Sequence, residues 1–257
     1  MFLFTSLFFK CKDLFDKMLI AKYRAWVKIK TDVGAVMNFS REDVEVDGNG
    51  SAGFCRRCGT CCRKGGPALH ACDKPLVDEG KIKIADIYTI REGEPVFDNV
   101  RGRLATACSD IIKIKSIGGS STCLFYEASD SSCLIYDWRP VECRILKCWA
   151  PGDIEKEYSR NRLSRKDLLS GMPGMWDLVK AHHQECSYTA VGKMVKKGDM
   201  KGLSYLVRYD LHFRNLALEK GRLDRAVLDF LFGLPLVVTI RRYGIDPQQL
   251  LVGENPD

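Results

Sequence analysis

The sequence predicts an α+β protein that is mostly helical and surrounds a small, irregular cysteine-rich core with a short β-hairpin. Two groups of cysteines lie before residue 150, and the short stretches of alternating apolar residues around them indicate strands. After residue 150 the cysteines become sparse, and apolar residues recur at helical spacing. A chain of 257 residues can form one large domain or two small ones with a buried core.

Composition indicates a soluble protein with reduced thiols. Hydrophobic content of 46% and charged content of 28% are ordinary for a globular protein, and a net charge of +7 does not by itself indicate nucleic-acid binding. The twelve cysteines would permit disulfides, but these need an oxidising compartment and usually a short secreted chain. The apolar residues 2–9 lack the flanks of a signal peptide and are too few to cross a membrane. We therefore expect a cytoplasmic protein without a transmembrane segment.

The first part of the chain, residues 1–40, is predicted to form an amphipathic helix. Between residues 8 and 30, apolar side chains recur at near-helical spacing with basic residues between them. Such a helix could lie on a membrane surface or a partner, or it could dock on the core of its own chain. Translation could also begin at Met18. Residues 41–53 are acidic and then rich in glycine, which indicates a linker.

The first cysteine group lies in Phe-Cys-Arg-Arg-Cys-Gly-Thr-Cys-Cys, residues 54–62. The two residues between the cysteines of a CxxC step form a tight turn that directs both sulfurs to one point. Cys55, Cys58 and Cys61 therefore offer three corners of a tetrahedral metal site, and the fourth must come from elsewhere. The adjacent Cys61 and Cys62 are expected to point in different directions. That favours two metal positions, or one cluster with a supporting thiol.

Between the two cysteine groups, the pattern predicts one helix and one strand. Residues 76–92 have apolar side chains at spacings that suit a short helix, and residues 110–117 alternate as a strand does. Further on, residues 122–127 and 133–136 are predicted to form two short strands joined by the turn-rich sequence ASDSS. This hairpin would bring Cys123 close to Cys133.

A short helix is predicted to follow the hairpin. Asp137 has the character of an N-cap, and Pro140 is tolerated in a first helical turn. Cys143 would lie on this helix, and Cys148 would follow its end. The candidate metal ligands of the whole chain are Cys55, Cys58, Cys61, Cys62, Cys123, Cys133, Cys143 and Cys148.

The C-terminal region, residues 151–257, is predicted to be helical and to pack on the cysteine-rich domain. Its best helix candidates are residues 174–186 and 203–219. A third helix begins at Leu223 and ends at Gly233, and periodicity leaves residues 237–243 open between strand and helix.

Other thiols and imidazoles have weaker claims to a metal. His70 and Cys72 could be auxiliary ligands, although a histidine beside a cysteine loop more often makes a hydrogen bond. His182 and Cys186 are four residues apart on one helix face, a spacing that can chelate. Without a second pair nearby, we interpret them as a surface pair. Cys108 is expected to be a core thiol.

The runs CRRCGTCC, TCLFYE and CLIYDWRPVEC together resemble the YkgJ-like CxxCxxCC cysteine-cluster family. The resemblance covers residues 54–150, which we take as the cysteine-cluster domain, and its second signature runs from Arg139 to Arg144. It implies a domain that chelates zinc or iron.

Two metal chemistries remain open. Eight thiols suffice for two closed tetrahedral zinc sites, which would contribute directly to folding. Alternatively, four thiols hold an iron–sulfur cluster while the others pack around it. The leading hypothesis is therefore a metal-chelating protein that binds iron, alone or in an iron–sulfur cluster, or zinc. Basic residues would offset the thiolate charge or form a solvated surface: Arg56, Arg57, Arg63, Lys64, Arg139 and Arg144.

Two other functions remain as alternatives. The family resembles a cysteine-rich region of flagellin lysine methylases, which would imply an iron–sulfur-dependent protein-modifying enzyme. No nucleotide loop, nucleophile elbow or HExxH motif supports catalysis, so no catalytic residue is assigned. A zinc-stabilised nucleic-acid-binding module would use the basic residues 159–166 and 193–201, which lack regularly interleaved aromatics. A metal ion is thus the expected partner, a protein partner stays open, and nucleic acid is disfavoured.

Overall fold

The computed structural model describes Cys55 and residues 57–251. About 49% of the described residues are helical, and short strands pair in antiparallel fashion. This composition confirms the predicted α+β class. The predicted N-terminal helix, residues 1–40, and the predicted linker, residues 41–53, lie outside the described residues.

The strands are two to four residues long and the helices four to twenty. The strands are β1 (Ile87–Ile90), β2 (Pro95–Asp98), β3 (Arg103–Thr106), β4 (Ile111–Ile114), β5 (Tyr126–Glu127) and β6 (Ser132–Cys133). The α-helices are α1 (Lys74–Asp78), α2 (Val141–Ile145), α3 (Gly152–Glu157), α4 (Arg165–Leu168), α5 (Pro173–Glu185), α6 (Tyr188–Lys197), α7 (Met200–Glu219), α8 (Leu228–Phe232), α9 (Leu236–Thr239) and α10 (Pro247–Leu251).

The chain divides into two compact units. Among the described residues, the helical unit contains Tyr88–Ile111 and those from Ser164 onward, whereas the cysteine unit contains those up to Ile87 together with Ile112–Leu163. The chain therefore leaves the cysteine unit within β1 and returns to it within β4. No helix in the described part of the chain is long and apolar enough to cross a membrane.

Helix α7 supplies the central core of the helical unit. Its N-cap Asp199 accepts a hydrogen bond from the Gly202 N–H at 2.8 Å, which satisfies one of the free donors of the first turn. Leu203, Leu206 and Val207 recur at helical spacing and are buried in one cluster with residues of α6, α9 and α10. The predicted helices 174–186 and 203–219 are thus confirmed as α5 and α7.

The predicted helix over residues 76–92 is wrong. Only α1 and a 3-10 turn, Ile84–Asp86, form in that stretch, and the chain turns between them at Gly80, whose φ is +75°. Ile87–Ile90 is a strand instead. A short apolar run fits either structure, and periodicity alone cannot separate them.

The predicted N-cap of α2 is wrong, and the structure settles the open choice for residues 237–243. Asp137 is not the N-cap of α2, because it lies inside a 3-10 turn and Pro140 takes the cap position. Arg139 precedes a proline, which disfavours helical backbone, and its ψ of 143° is extended. Residues 237–243 are helical, since α9 continues into a 3-10 turn that ends at Gly244.

In the cysteine unit, three backbone segments meet around Leu69. The Leu69 N–H donates to the Ile112 carbonyl at 2.8 Å, and the Leu163 N–H donates to the Leu69 carbonyl at 2.9 Å. All three side chains are buried. Strands β5 and β6 form the predicted hairpin, in which Tyr126 pairs with Cys133. These contacts fix the segments that carry the cysteines.

Candidate metal centre

Backbone and side-chain hydrogen bonds join the two cysteine groups. The Cys123 N–H donates to the Cys62 carbonyl at 2.7 Å, although 60 residues separate the two cysteines in the sequence. Beside this contact, the Ser121 hydroxyl donates to the Arg63 carbonyl at 2.6 Å. The loop that carries the first cysteine group is therefore tied to the segment that begins the second.

Arg63 and Tyr126 hold the first cysteine loop in shape. The Arg63 guanidinium donates to the Cys58 carbonyl at 2.8 Å and to the Tyr126 hydroxyl at 3.0 Å. Gly59 lies in the left-handed region at φ +70°, and a Cβ there would be 2.0 Å from the Tyr126 hydroxyl. The loop can take this path only because residue 59 has no side chain.

The N-terminal end of α2 is fixed by two acidic residues, and this positions Cys143. Asp73, which is buried, accepts from the Val141 N–H at 2.9 Å, and Glu142 accepts from the Ala68 N–H at 2.7 Å. Glu142 also lies 3.2 Å from His70 Nε2. The sequence pattern did not identify Asp73 or Glu142, because neither lies in a recognisable ligand spacing.

His70 has hydrogen-bonding partners on both ring nitrogens. Besides its contact with Glu142, its Nδ1 lies 2.7 Å from the Arg160 carbonyl. Burial favours the neutral ring, but the hydrogen bond and charge of Glu142 outweigh it and raise the pKa of His70. His70 thus fixes local structure through hydrogen bonds, as expected for a histidine beside a cysteine loop. Cys72 is exposed.

The side chains of Cys61 and Cys62 meet. Their sulfurs are 3.9 Å apart, so the expectation that they point in different directions is wrong. Zn–S bonds of about 2.3 Å in a tetrahedral site would place two sulfurs about 3.8 Å apart. The Cys61–Cys62 pair therefore has the spacing of two ligands on one ion. The hydrogen bond between the two thiols lowers the pKa of Cys61 to about 6.

Cys61 is the centre of the thiol group. Burial raises the pKa of Cys123, Cys133 and Cys143, and the negative charge of Cys61 raises it further. For Cys62, the hydrogen bond with Cys61 is the largest cause of a raised pKa, followed by burial and by the charges of Cys61, Cys133 and Cys143. The five thiols are thus within range of one another's charge, but among the described residues no three of their sulfurs lie within 4.8 Å of one another.

The other three candidate cysteines are exposed. The charge of Cys55 acts on Cys133. Cys58 Sγ lies 3.2 Å from the Thr60 hydroxyl, and this hydrogen bond lowers the pKa of Cys58. The charge of Cys61 also acts on Cys58, whereas Cys148 lies beyond the end of α2.

Cationic side chains lie next to the thiols. The Arg139 guanidinium is 3.8 Å from the Tyr136 ring centre, and Arg57 is 4.7 Å from the same ring. Arg139 also donates to the Tyr136 carbonyl at 2.9 Å. Its charge favours the thiolate of Cys61.

Lys113 is a further cation beside the thiols, and the sequence pattern did not reveal it. It lies on β4, where its backbone bridges to Ala68. Burial lowers the pKa of Lys113, and the charges of Glu142, Cys123 and Cys143 oppose that effect. In the sequence, Lys113 is simply the polar member of an alternating strand, so nothing in the pattern assigns it to the thiols.

A comparison with known protein families identifies the segment that carries both cysteine groups. Residues 54–164 match the CxxCxxCC family. Its model is described as "Putative zinc- or iron-chelating domain", which confirms the resemblance found in the sequence. No curated protein and no solved structure matched the chain.

A second group of potential ligand atoms lies in the helical unit. His182, Cys186 and Asp210 place one such atom each within 4.8 Å of one another. His182 and Cys186 are fully buried, so their interpretation as a surface pair is wrong. They face inward because α5 packs on α7, which carries Asp210.

Asp210 is already saturated by donors, which argues against a metal at this second group. It accepts from His182 at 2.7 Å, from Arg214 at 3.0 Å and from the Leu236 N–H at 2.8 Å. Arg91 donates to the Cys186 carbonyl at 2.9 Å and brings a further positive charge. A divalent cation would be repelled by both guanidinium groups. We interpret the group as a buried ion-pair network.

Cys108 is exposed, so its assignment as a core thiol is wrong. Its neighbour Ala107 takes the buried position. Successive side chains of an extended chain point to opposite sides, which leaves Cys108 outward.

Proposed function

We propose that the CxxCxxCC domain binds iron, alone or in an iron–sulfur cluster, or zinc, through thiolates grouped around Cys61. The main support is geometric: the Cys123 N–H donates to the Cys62 carbonyl at 2.7 Å, and the Cys62 sulfur lies 3.9 Å from that of Cys61, so thiols from both cysteine groups are joined. Thiolate ligands suit both metals. The proposed ligands are Cys55, Cys58, Cys61, Cys62, Cys123, Cys133, Cys143 and Cys148.

The neighbouring cations fit this ligand chemistry. Four thiolates around a divalent ion carry a net charge of about −2, which is costly beside apolar residues. Arg139 and Lys113 would offset that charge, because both favour the ionised form of a neighbouring thiol. A bound zinc ion would contribute folding free energy, and an iron–sulfur cluster would add electron-transfer chemistry.

Exposure of the first cysteine loop supports chelation of metal from solution. Cys55, Cys58 and Cys61 are exposed, whereas Cys123 is buried and Cys143 half-buried. A metal could reach the exposed thiols first and then contact the inner ones. This order needs reduced thiols, and we place the protein in the cytoplasm, where thiols stay reduced.

The test is metal content measured together with the absorption spectrum. Protein purified without oxygen is analysed for zinc and iron as the wild type, Cys61→Ser and Cys108→Ser. Cys108 is a matched control because it is an exposed cysteine of the helical unit. We expect Cys61→Ser to lose most of the metal and Cys108→Ser to keep it. Brown protein with broad visible absorbance indicates an iron–sulfur cluster, and colourless protein with stoichiometric zinc indicates zinc.

Unchanged metal content in Cys61→Ser would contradict the proposal. Metal-free wild-type protein, purified anaerobically and unable to take up either ion, would contradict it as well.

A further inference from the structure

One aromatic ring contacts side chains from both cysteine groups. Tyr136 lies in a 3-10 turn between Cys133 and Cys143. The guanidinium carbon of Arg139 is 3.8 Å from the centre of the Tyr136 ring, and that of Arg57, from the first cysteine loop, is 4.7 Å from the same centre. Both distances are in the range of cation–π contacts. The ring of Tyr136 therefore holds one cation from each cysteine group.

Tyr136 fixes Arg139 at two points. Besides lying over the ring, Arg139 donates from Nε to the Tyr136 carbonyl at 2.9 Å. An arginine side chain has several rotatable bonds, so two contacts with one residue strongly restrict where its charge can lie. The backbone of Arg139 is restricted as well, because Pro140 follows it. The positive charge of Arg139 thus has a defined position.

Arg57 has a backbone conformation that favours glycine. Its φ is +51°, in the left-handed region where a Cβ is unfavourable. Such a conformation persists where surrounding contacts compensate for it. The contact of the Arg57 guanidinium with Tyr136 is one of these contacts, and it ties the loop that carries Cys55 and Cys58 to the turn that carries Tyr136.

The cation that Tyr136 fixes acts on thiols of both groups. For Cys61, the hydrogen bond with Cys62 is the largest cause of a lowered pKa, and the charge of Arg139 adds to it. For Cys133, burial raises the pKa, and the charge of Arg139 opposes that effect. Four thiolates around a divalent ion carry a net charge of about −2, so a fixed cation beside them favours the bound state.

We propose that Tyr136 is a positioning residue of the metal centre, which holds Arg139 and Arg57 where their charges stabilise the metal-bound thiolates. This inference rests on the proposed metal binding, because it concerns the same thiolates. The contacts use the ring and the carbonyl of Tyr136. Tyr126 differs in this respect, because its hydroxyl accepts from Arg63 at 3.0 Å. A phenylalanine should therefore replace Tyr136 without loss of the contacts.

The experiment measures the zinc affinity of the full chain, without oxygen, by competition with a chromophoric chelator. Zinc is the probe because thiolates bind it without added sulfide. Tyr136→Leu removes the ring, and we expect it to weaken zinc binding about fivefold or more. Tyr136→Phe keeps the ring and should bind within about twofold of the wild type. Circular dichroism establishes that each variant is folded.

A double-mutant cycle separates positioning from a general structural role. If Tyr136 acts through Arg139, Tyr136→Leu should weaken binding less in the Arg139→Met background than in the wild type. Higher salt should narrow the difference between the wild type and Tyr136→Leu, because salt screens the charges. Arg57→Met/Arg139→Met removes both charges and leaves the ring, so it should weaken binding at least as much as Tyr136→Leu, and it tests the proposal if Tyr136→Leu does not fold.

The matched control is Tyr158→Leu. Arg162 lies over the Tyr158 ring at 5.7 Å and donates to the Tyr158 carbonyl at 2.8 Å, so the same two contacts occur in the cysteine unit outside both cysteine groups of the sequence. This variant should bind zinc as the wild type does.

Four results would overturn the proposal. The first three are equal zinc affinities of Tyr136→Leu and the wild type, additive losses in the cycle with Arg139→Met, and a loss in Tyr136→Phe as large as that in Tyr136→Leu. The fourth is a wild type that takes up no zinc, in which case its iron content decides the proposed function separately.

Discussion

Replacing Asp210 by asparagine tests whether the buried ion-pair network stabilises the helical unit. Asparagine has nearly the same shape, but it carries no charge and replaces one acceptor oxygen by an NH₂ group. Oδ1 of Asp210 accepts from His182 and Arg214, and Oδ2 accepts from the Leu236 N–H. Either orientation of the introduced amide would therefore place its N–H groups against a donor.

The expected cost follows from the burial of the partners. Asp210 is fully buried and Arg214 is 5% exposed, so the substitution leaves a guanidinium group in the core without its closest counter-ion. Breaking such a pair costs about 3–5 kcal/mol. Arg214 keeps a second carboxylate, Asp229, at 3.7 Å and donates to two backbone carbonyls. We therefore expect the lower end, about 3 kcal/mol.

Urea unfolding gives the measurement. With a dependence of about 2–3 kcal/mol per M, a loss of about 3 kcal/mol lowers the midpoint by about 1 M or more. Unfolding is followed by far-ultraviolet circular dichroism, since most long helices lie in the helical unit. Asp177→Asn is the control, because its pair with Lys180 is exposed on α5 and should change stability by less than about 1 kcal/mol. Equal midpoints for Asp210→Asn and Asp177→Asn would refute the reasoning.

Three further predictions follow from the same contacts. Gly59→Ala should lower metal content and stability much more than Gly80→Ala does. Both glycines have positive φ, but only at residue 59 would the new Cβ meet Tyr126. Equal losses in the two variants would rule out the steric cause. Burial lowers the pKa of His182 to about 3, against an ordinary value of 6.5. Between these two pH values the unfolded chain binds more protons than the folded one. The free energy of unfolding therefore falls as the pH falls from 6.5 towards 3. Urea midpoints at pH 7 and pH 5 should differ by more in the wild type than in His182→Gln, and parallel changes would contradict this cause. Removing metal with a chelator under reducing conditions should lower the melting temperature of the wild type but not of Cys61→Ser, because ligation contributes to folding.

The sequence predicted those features that depend on local pattern. The apolar spacing of α5 and α7 located both helices, and the turn between β5 and β6 located the hairpin. The cysteine spacing also located the segment that matches the CxxCxxCC family. In these cases, periodicity or turn chemistry acts over a few residues, and tertiary contacts agree with it.

What the sequence could not predict depends on contacts between distant residues. Lys113 and Glu142 lie beside the thiols only because β4 and α2 pack around Leu69 and His70. The burial of Cys186 depends on how α5 packs, so its spacing from His182 does not reveal it. A short apolar run such as Ile87–Ile90 fits a strand as well as a helix, which is why the helix predicted over residues 76–92 is wrong.

The short distance between the Cys61 and Cys62 sulfurs follows from the local backbone conformation. Opposed directions are expected for neighbours in a strand, where successive side chains alternate. Cys61 instead has helical backbone angles, φ −66° and ψ −40°, and precedes a 3-10 turn that begins at Cys62. Neighbouring side chains in such a turn are rotated by about 120°, so the two sulfurs can meet.

The interleaving of the two units affects how a fragment of this protein would behave. A fragment of residues 54–164 would include Tyr88–Ile111 but exclude the helices with which that segment forms one compact unit. Glu94, which is buried, would lose Arg242, and Asp110 would lose Arg165. Insolubility of such a fragment would then reflect orphaned carboxylates and exposed apolar surface, whatever the thiols bind.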